Sequence, residues 1–426
     1  MTWVMFSVLA VTVATAFRRR SDLLSPSRIY ICVYSLLLAF YYLRLSRLQT
    51  PWSLTSTLLF YGASAAFLTG GLWIRILGKV KYPGWSLDFP SVREALIRDA
   101  GTIDWPWFRL VYITCIAVFL ISFLISLDIV GGLPAFMKHP DEARIKFCTS
   151  TLLTSYTLFF GPISLMLGMV LLWFSGPSRW ERRLILASIG FVLVLYLTMV
   201  TRYELFRYLI FSVTLYHYGR GRLRLRHVLV GLGLAVGVFF AGFLIRVNTD
   251  SIAAFNEMVK VKMPKHLAWA SNIYAYLAND FWNFDFAIRK FEDGDHEYPR
   301  QWGMGLFRAL LWNLRLEPEL IQAYHFDTLY NESATKLKGL NTVIYVWHFY
   351  KDFGIAGALL MPLAGGLLAW KYYFNTLFKP TLLRVGVWGI LAAAIALSYH
   401  TPLWELWFVY LNLFVFVIAH RKYKVA

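Results

Sequence analysis

A chain of 426 residues that is 58% hydrophobic, 18% aromatic and only 15% charged is not built to be a water-soluble globule. Its formal charge of +18 could suggest nucleic acid, but the basic residues punctuate apolar runs of nearly membrane-spanning length, so they read as topology. The runs are continuous rather than alternating, which excludes an outer-membrane barrel and leaves an all-α polytopic membrane protein.

In chain order, the first run, TWVMFSVLAVTVATAF, carries its basic residues after the apolar stretch and not before it. It therefore reads as an uncleaved helix rather than a signal peptide. With it, spans are expected near residues 2–17, 28–44, 53–75, 109–130, 156–175, 184–200, 203–219, 227–245, 353–370, 385–399 and 403–420, about eleven in all. Cys32, Cys115 and Cys148 are scattered, so neither a disulfide framework nor a thiolate metal site is indicated. The connectors FRRRSDLLSPSR, SRWERR, GRGRLRLRH, KYYFNTLFKPTLLR and HRKYK alternate so as to share one face. With the segment near 75–109 they hold 23 Lys/Arg against 6 Asp/Glu. The positive-inside rule makes that face cytoplasmic, with the N-terminus periplasmic and the C-terminus cytoplasmic. The chain divides into residues 1–245 with eight spans, a large outer loop over 246–351, and residues 352–426 with three more. The loop carries 12 basic and 12 acidic residues, which serve no topological purpose and mark it for chemistry.

Between the sixth and seventh spans, MVTRYELFRYLIF sets Arg202, Glu204 and Arg207 in a hairpin with almost no loop. Ionisable groups at this depth point to function; the alternative is arginines reaching for headgroups, with Glu204 paired to one of them. Arg246, in FLIRVNTD, reads the same way. Guanidinium groups here suit a diphosphate, which they bind in bidentate fashion without losing their charge. Within the loop, SNIYAYLANDFWNFDFAIRKF interleaves rings with amides and carboxylates, a combination that suits a sugar. On a helix Tyr276, Asp280 and Asn283 share a face and Asp285 reaches Arg289; Trp282 supplies a further ring. An interfacial aromatic belt with a structural ion pair fits these residues as well.

The Asp293–Gly294–Asp295 triplet and the following His296 and Glu297 lack a second ligand pair at metal spacing, so no metal is expected. Arg300 precedes WGMGLFRALLWNLRL, whose apolar stripe predicts an amphipathic helix on the outer leaflet. The loop closes with NTVIYVWHFYKDFGIAGALLMPLAGGLLAW. There His348 and Asp352 are four residues apart and would share a helical face. Gly354, Gly357, Gly365 and Gly366 would let the helix approach its neighbours closely. Asp352 lies at the start of the ninth span, where a carboxylate can also serve simply as an N-cap.

An arginine-bearing hairpin followed by a large outer loop closing on Asn-Thr and then Asp-Phe-Gly-x-x-Gly resembles the O-antigen polymerase (Wzy) family. The resemblance covers the topology and two short stretches, TRYELFRYLIF and NTVIYVWHFYKDFGIAGALLMPLAGGL. It implies a C-type glycosyltransferase-like fold in the bacterial inner membrane. It also implies transfer of a glycan from undecaprenyl diphosphate to a new lipid-linked repeat on the periplasmic face. By position, Arg202 matches the hairpin arginine, while Asn341, Thr342, Asp352, Gly354 and Gly357 match the closing tract. The expected partners are an undecaprenyl-diphosphate-linked oligosaccharide, membrane lipids and a chain-length regulator protein, with no nucleic acid and no cofactor.

On this reading Arg202, Arg207, Arg246, Arg289 and Arg300 hold the diphosphate. Asp280, His348 or Asp352 takes the acceptor proton. Tyr276, Trp282, Asn283 and Asn341 contact the glycan. The rival functions are an O-antigen ligase, or a flippase for the same lipid-linked glycans.

Overall fold

The computed structural model describes residues 1–17, 21–77, 89–138, 140–199, 203–231, 268–293, 343–399 and 407–423, with isolated residues between 233 and 262. Among them the chain is all-α, with no strand beyond an isolated bridge between Ile103 and Lys422. In order the helices are α1 (Thr2–Ala16), α2 (Pro26–Tyr42), α3 (Leu54–Leu77), α4 (Phe89–Ala100), α5 (Trp105–Val130), α6 (Pro140–Thr149), α7 (Leu152–Phe174), α8 (Arg179–Thr198) and α9 (Tyr203–Gly219). There follow α10 (Ala268–Glu292), α11 (Tyr345–Phe378), α12 (Leu382–Leu397) and α13 (Trp407–Ala419).

Every expected span falls on one of these helices except that near 227–245, most of which lies outside the described residues. Among the described residues four segments are long and apolar enough to cross a membrane: Leu54–Ile74, Trp105–Phe136, Leu152–Phe174 and Tyr345–Phe378. Thr2–Ala16, Leu382–Leu397 and Val409–Ala419 are shorter apolar helices. α2 and α9, at 17 residues each, sit at the lower limit of spanning length. α8 carries four charged residues, Arg179, Glu181, Arg182 and Arg183, among its first five. Two helices, α4 and α6, form inside stretches expected to be connectors.

Local chemistry explains the helix ends. α5 begins earlier than expected because Asp104 caps it, accepting from the Trp107 N–H at 3.2 Å with a proline in the first turn. It stops at Gly131, which takes the left-handed conformation at φ 78°. α7 opens on a reciprocal pair: Thr151 accepts from the Thr154 N–H at 3.1 Å, and Thr154 Oγ1 accepts from the Thr151 N–H at 2.9 Å.

The chain forms two compact units that cut across the division expected from the sequence. One comprises Met1–Ser86, Thr249–Phe374 and Ala394–Trp407; the other comprises Leu87–Asn248, Asn375–Ala393 and Phe408–Ala426. In the first, α10 packs on α2 and α3, so part of the large loop belongs to the same core as the N-terminal helices. Tyr34, Trp52, Phe60 and Phe281 form a ring cluster there, with Trp52 stacked on Phe281 at 5.9 Å. Buried hydroxyl chains join the helices. Ser64 donates to the Phe60 carbonyl, so Tyr30 must donate to Ser64 and Tyr345 to Tyr30. The chain ends on a backbone carbonyl, which makes it a staple rather than a proton path.

In the second unit α7 is the central helix, touching α5, α6, α8 and α9. Residues 161–168 are all buried, as a helix apolar on every side requires. Gly161 lies against the Tyr196 ring, whose hydroxyl donates to the Thr157 carbonyl, and a Cβ there would overlap the ring. Gly161→Ala is therefore expected to cost about 1–3 kcal/mol by overpacking. Thermal unfolding in detergent measures this, and an unchanged midpoint would contradict the packing.

Contacts within each unit sort the connectors into two sets. Asp99 pairs with Lys422 at 2.8 Å and accepts from the Leu382 N–H, and Arg109 bonds Glu181. In the first unit Tyr373 donates to Asp22 at 2.6 Å. All of these join segments expected on the basic face. The opposite set meets where Ser53 bonds Asp285 and where the Tyr345 N–H donates to the Ser398 carbonyl.

Candidate functional site

α10 carries the first group of candidates. Residues 278–285 are buried without interruption, more than two turns, so the helix is enclosed on every face and is not a surface belt. A carboxylate in such a place needs donors. Asp285 has them: the Ser53 N–H at 2.7 Å and Arg289 Nε at 2.8 Å, the expected pair four residues apart. Arg289 is half-exposed and also donates to the Pro51 carbonyl, so its guanidinium ties α10 to the turn before α3. Tyr274 fixes the same hairpin, accepting from the Leu45 N–H at 2.9 Å while its hydroxyl bonds Gln49. Burial pushes its phenol up to about 12, against the lowering by these two bonds.

Asp280 and Asn283 share a helical face three residues apart and are both fully buried. Asp280 acts electrostatically on Tyr34 of α2 and on Tyr399 after α12. Trp282 is also buried, but at 100° per residue it projects from nearly the opposite side of α10. The structure therefore brings Asp280 and Asn283 together and separates Trp282 from them. The Tyr276 side chain lies outside the described set.

α11 holds the second group. It begins at Tyr345, well before the expected span, and residues 343–352 are all buried. His348 and Asp352 lie one turn apart on one face, as the spacing predicted, and both are enclosed. Lys351 beside them is buried too. It was not singled out from the sequence; a Lys-Asp pair entering an apolar run was the available signal.

The helix then breaks at Gly354, at φ 66° and ψ −150°, a conformation essentially reserved for glycine. Asp352 consequently ends one helical piece, and the N-cap alternative does not hold because the helix starts seven residues earlier. The glycines also divide differently from the expectation. Gly366 meets the Phe67 carbonyl, and Gly70 of α3 meets the Gly366 backbone, so α3 and α11 cross closely there. Gly357 presses on the Phe349 carbonyl of its own helix, whereas Gly365 faces open space.

Arg207 belongs to the other unit. It is 1% exposed, with Glu204 one turn before it at 6%, so Arg207 does not reach outward for headgroups. In the amide orientation that satisfies both neighbours, Asn412 of α13 accepts from Arg207 Nη2 at 2.6 Å and donates to the Phe159 carbonyl at 3.2 Å. Arg144 of α6 acts electrostatically on Glu204, and Glu204 on Cys148 of the same helix. Arg144 also escaped the sequence reading, because α6 was expected to be loop.

Burial pushes the Cys148 thiol up to about 12, with Arg144 opposing and Glu204 reinforcing the rise. At pH 8 it stays protonated, and a maleimide is expected to leave it unlabelled in the folded protein and to modify it after denaturation in SDS. Labelling of the folded protein at the rate of a free thiol would contradict this.

Arg202, Arg246, Arg300 and Asn341 lie outside the described residues, as does the expected amphipathic helix after Arg300. Among the described residues no three His, Cys, Asp or Glu side chains converge as metal ligands. Asp280, Trp282, Asn283, Arg289, His348 and Asp352 belong to the first unit and Arg207 to the second. No family model, curated protein or solved structure matches this chain.

Proposed function

We propose that the protein is a C-type glycosyltransferase of about eleven spans that polymerises lipid-linked oligosaccharide repeats. It works on the periplasmic side of the bacterial inner membrane, with its basic connectors cytoplasmic. One observation carries the reading. The Asp-Phe-Gly-x-x-Gly tract, on which the resemblance to O-antigen polymerases rests, coincides with a glycine-only break that ends a fully buried segment holding His348, Lys351 and Asp352. A helix built only to span would gain nothing from burying three ionisable groups at such a break.

In the reaction, a hydroxyl of the acceptor repeat attacks the anomeric carbon of the donor glycan. The bond from that carbon to the diphosphate oxygen breaks, the centre inverts, and undecaprenyl diphosphate leaves with the bonding pair. Arginines drawn from Arg202, Arg207, Arg246, Arg289 and Arg300 stabilise the growing negative charge. Asp280, His348 or Asp352 accepts the hydroxyl proton. Asn283, on the Asp280 face of α10, binds glycan hydroxyls, with Tyr276 and Asn341. A chain-length regulator sets how many cycles follow.

Deleting the gene in its native host and resolving the surface polysaccharide on a gel tests this. A ladder that collapses to core plus one repeat is the expected result. Loss of every repeat, including the first, would replace the polymerase with a ligase or a flippase.

A further inference from the structure

The sequence VKVK over residues 259–262 alternates valine with lysine, the period of an extended segment with one side turned outward. Lys260 and Lys262 meet the hairpin between α2 and α3 through two backbone bonds. The Arg47 N–H donates to the Lys260 carbonyl at 3.0 Å, and the Lys262 N–H to the Leu45 carbonyl at 2.6 Å. The two bonds flank Ser46 as those of an antiparallel pair do. Ser46 is 1% exposed, so its side faces inward; Arg47 beside it, and Lys260 and Lys262 across the pair, fall on the other side, and all three are exposed.

Arg44 joins them. α2 ends on Leu43, and Arg44 follows in the left-handed conformation at φ 51°, its N–H donating to the Tyr41 carbonyl at 3.2 Å. Lys260 takes the same conformation at φ 48°. Glycine or asparagine is the usual occupant there, so two exposed cations are kept where an L side chain costs conformational energy. The scaffold beneath them is fixed. Buried Gln49 accepts from the Ser46 N–H at 3.2 Å and donates to the Tyr41 carbonyl at 3.3 Å, while Tyr274 of α10 accepts from the Leu45 N–H. Arg289 holds Pro51 at the far end of the same hairpin. Tyr274 and Arg289 are separated along α10 by about 22 Å, so the four cations form a cluster apart from that guanidinium.

The surroundings set this cluster at headgroup depth. Leu54 and Leu58, one turn apart at the start of α3, are 75% and 63% exposed, and Tyr42 and Tyr61 bond through exposed hydroxyls at 3.3 Å. Such leucines suit the apolar layer, and such rings its boundary with water. We propose that Arg44, Arg47, Lys260 and Lys262 form a docking site for the phosphate headgroup of an anionic phospholipid, which fastens part of the large loop to the leaflet surface. Cations just past the end of an apolar helix meet lipid phosphates there, and several held in place favour an anionic headgroup over a zwitterionic one. The proposed threading puts this hairpin on the periplasmic side, where cations have no topological role. The site rests on that threading only for its leaflet, and it holds whether or not the protein polymerises glycans.

The test places the full-length protein in phosphatidylcholine nanodiscs doped with phosphatidylglycerol that carries a photoreactive headgroup, and maps the crosslinked peptides. Crosslinks are expected on peptides containing Arg44, Arg47 or Lys262, competed by unlabelled phosphatidylglycerol and not by phosphatidylcholine. Arg47→Gln and Lys262→Gln should each raise the phosphatidylglycerol fraction for half-maximal crosslinking about fivefold, the scale of one basic residue near an anionic surface. Arg44→Gly and Lys260→Asn should weaken crosslinking similarly. Because they relieve the left-handed backbone, their unfolding midpoints in pure phosphatidylcholine should equal or exceed the wild type's. Weaker binding without lower stability is what a merely structural cation would not give.

Equal crosslinking in the wild type and the variants, or equal competition by phosphatidylcholine, would overturn the site, because lipid would then touch the hairpin through its apolar residues alone. Lower midpoints for Arg44→Gly and Lys260→Asn would overturn it too, by making the cations structural. Competition by inorganic pyrophosphate with none by unlabelled phosphatidylglycerol would assign a soluble anion and sink the lipid. The readout involves no glycan transfer, so crosslinking at the hairpin of a protein whose deletion leaves the polysaccharide ladder intact would sink the polymerase reading and leave the site standing.

Discussion

Arg207→Met is expected to destabilise the protein by about 1–3 kcal/mol, the scale of leaving buried polar groups without a charged donor. Arg207 is 1% exposed and shares its surroundings with Glu204 at 6%. Removing the guanidinium strands that carboxylate, and Arg144, half-buried on α6, offsets only part of the loss. It also leaves Asn412 Oδ1 without the donor it meets at 2.6 Å. Glu204→Gln in the same chain should restore much of the stability, since the two residues are coupled and their effects are not additive.

The double variant separates two roles. If it folds and makes no polymer, Arg207 serves the chemistry as well as the fold. If it folds and polymerises normally, the diphosphate role is removed from Arg207. Thermal unfolding in detergent reads the first quantity and the polysaccharide ladder the second. An Arg207→Met protein that unfolds with the wild-type midpoint would contradict its burial as a charged partner.

Gly354→Ala carries the second large effect. At φ 66° and ψ −150° an L side chain is strained by about 1–3 kcal/mol, so the variant either holds the break at that cost or relaxes toward continuous helix. Relaxation would turn the buried segment that carries His348 and Asp352 relative to the remainder of α11. Polymer is therefore expected to disappear even where the protein still accumulates in the membrane.

Gly365→Ala is the matched control. It lies eleven residues on in the same helix, and nothing approaches within 4 Å of its new Cβ. Alanine there should be neutral or stabilising by up to about 1 kcal/mol. If both variants unfold at one temperature, Gly354 has no special conformation. If Gly354→Ala is destabilised yet polymerises fully, the break is structural and the site does not depend on it.

The resemblance was carried by residues whose physical role the sequence did not disclose. Asp-Phe-Gly-x-x-Gly is legible as a string, but nothing in it distinguishes a glycine that permits close packing from one that breaks a helix. Gly366 and Gly70 do the first, Gly354 the second, and Gly365 neither, because each outcome depends on which backbone lies opposite. Arg144 and Lys351 were passed over for a related reason. Charge near a span end looks like topology until burial shows that water is excluded from it.

By itself the sequence determined the all-α character and the positions of most helices, since hydrophobic run length is a local property of the chain. It also determined the Asp285–Arg289 pair and the common face of His348 and Asp352, because helical spacing alone brings those residues together. The tertiary structure alone decided that α10 is enclosed rather than interfacial and that α11 starts at Tyr345. It also decided that the large loop joins the unit of the N-terminal helices while Arg207 lies in the other. Burial and unit membership arise from contacts between residues hundreds of positions apart, such as Tyr34 with Ser398 and Asp99 with Lys422, and no periodicity along the chain encodes such pairs.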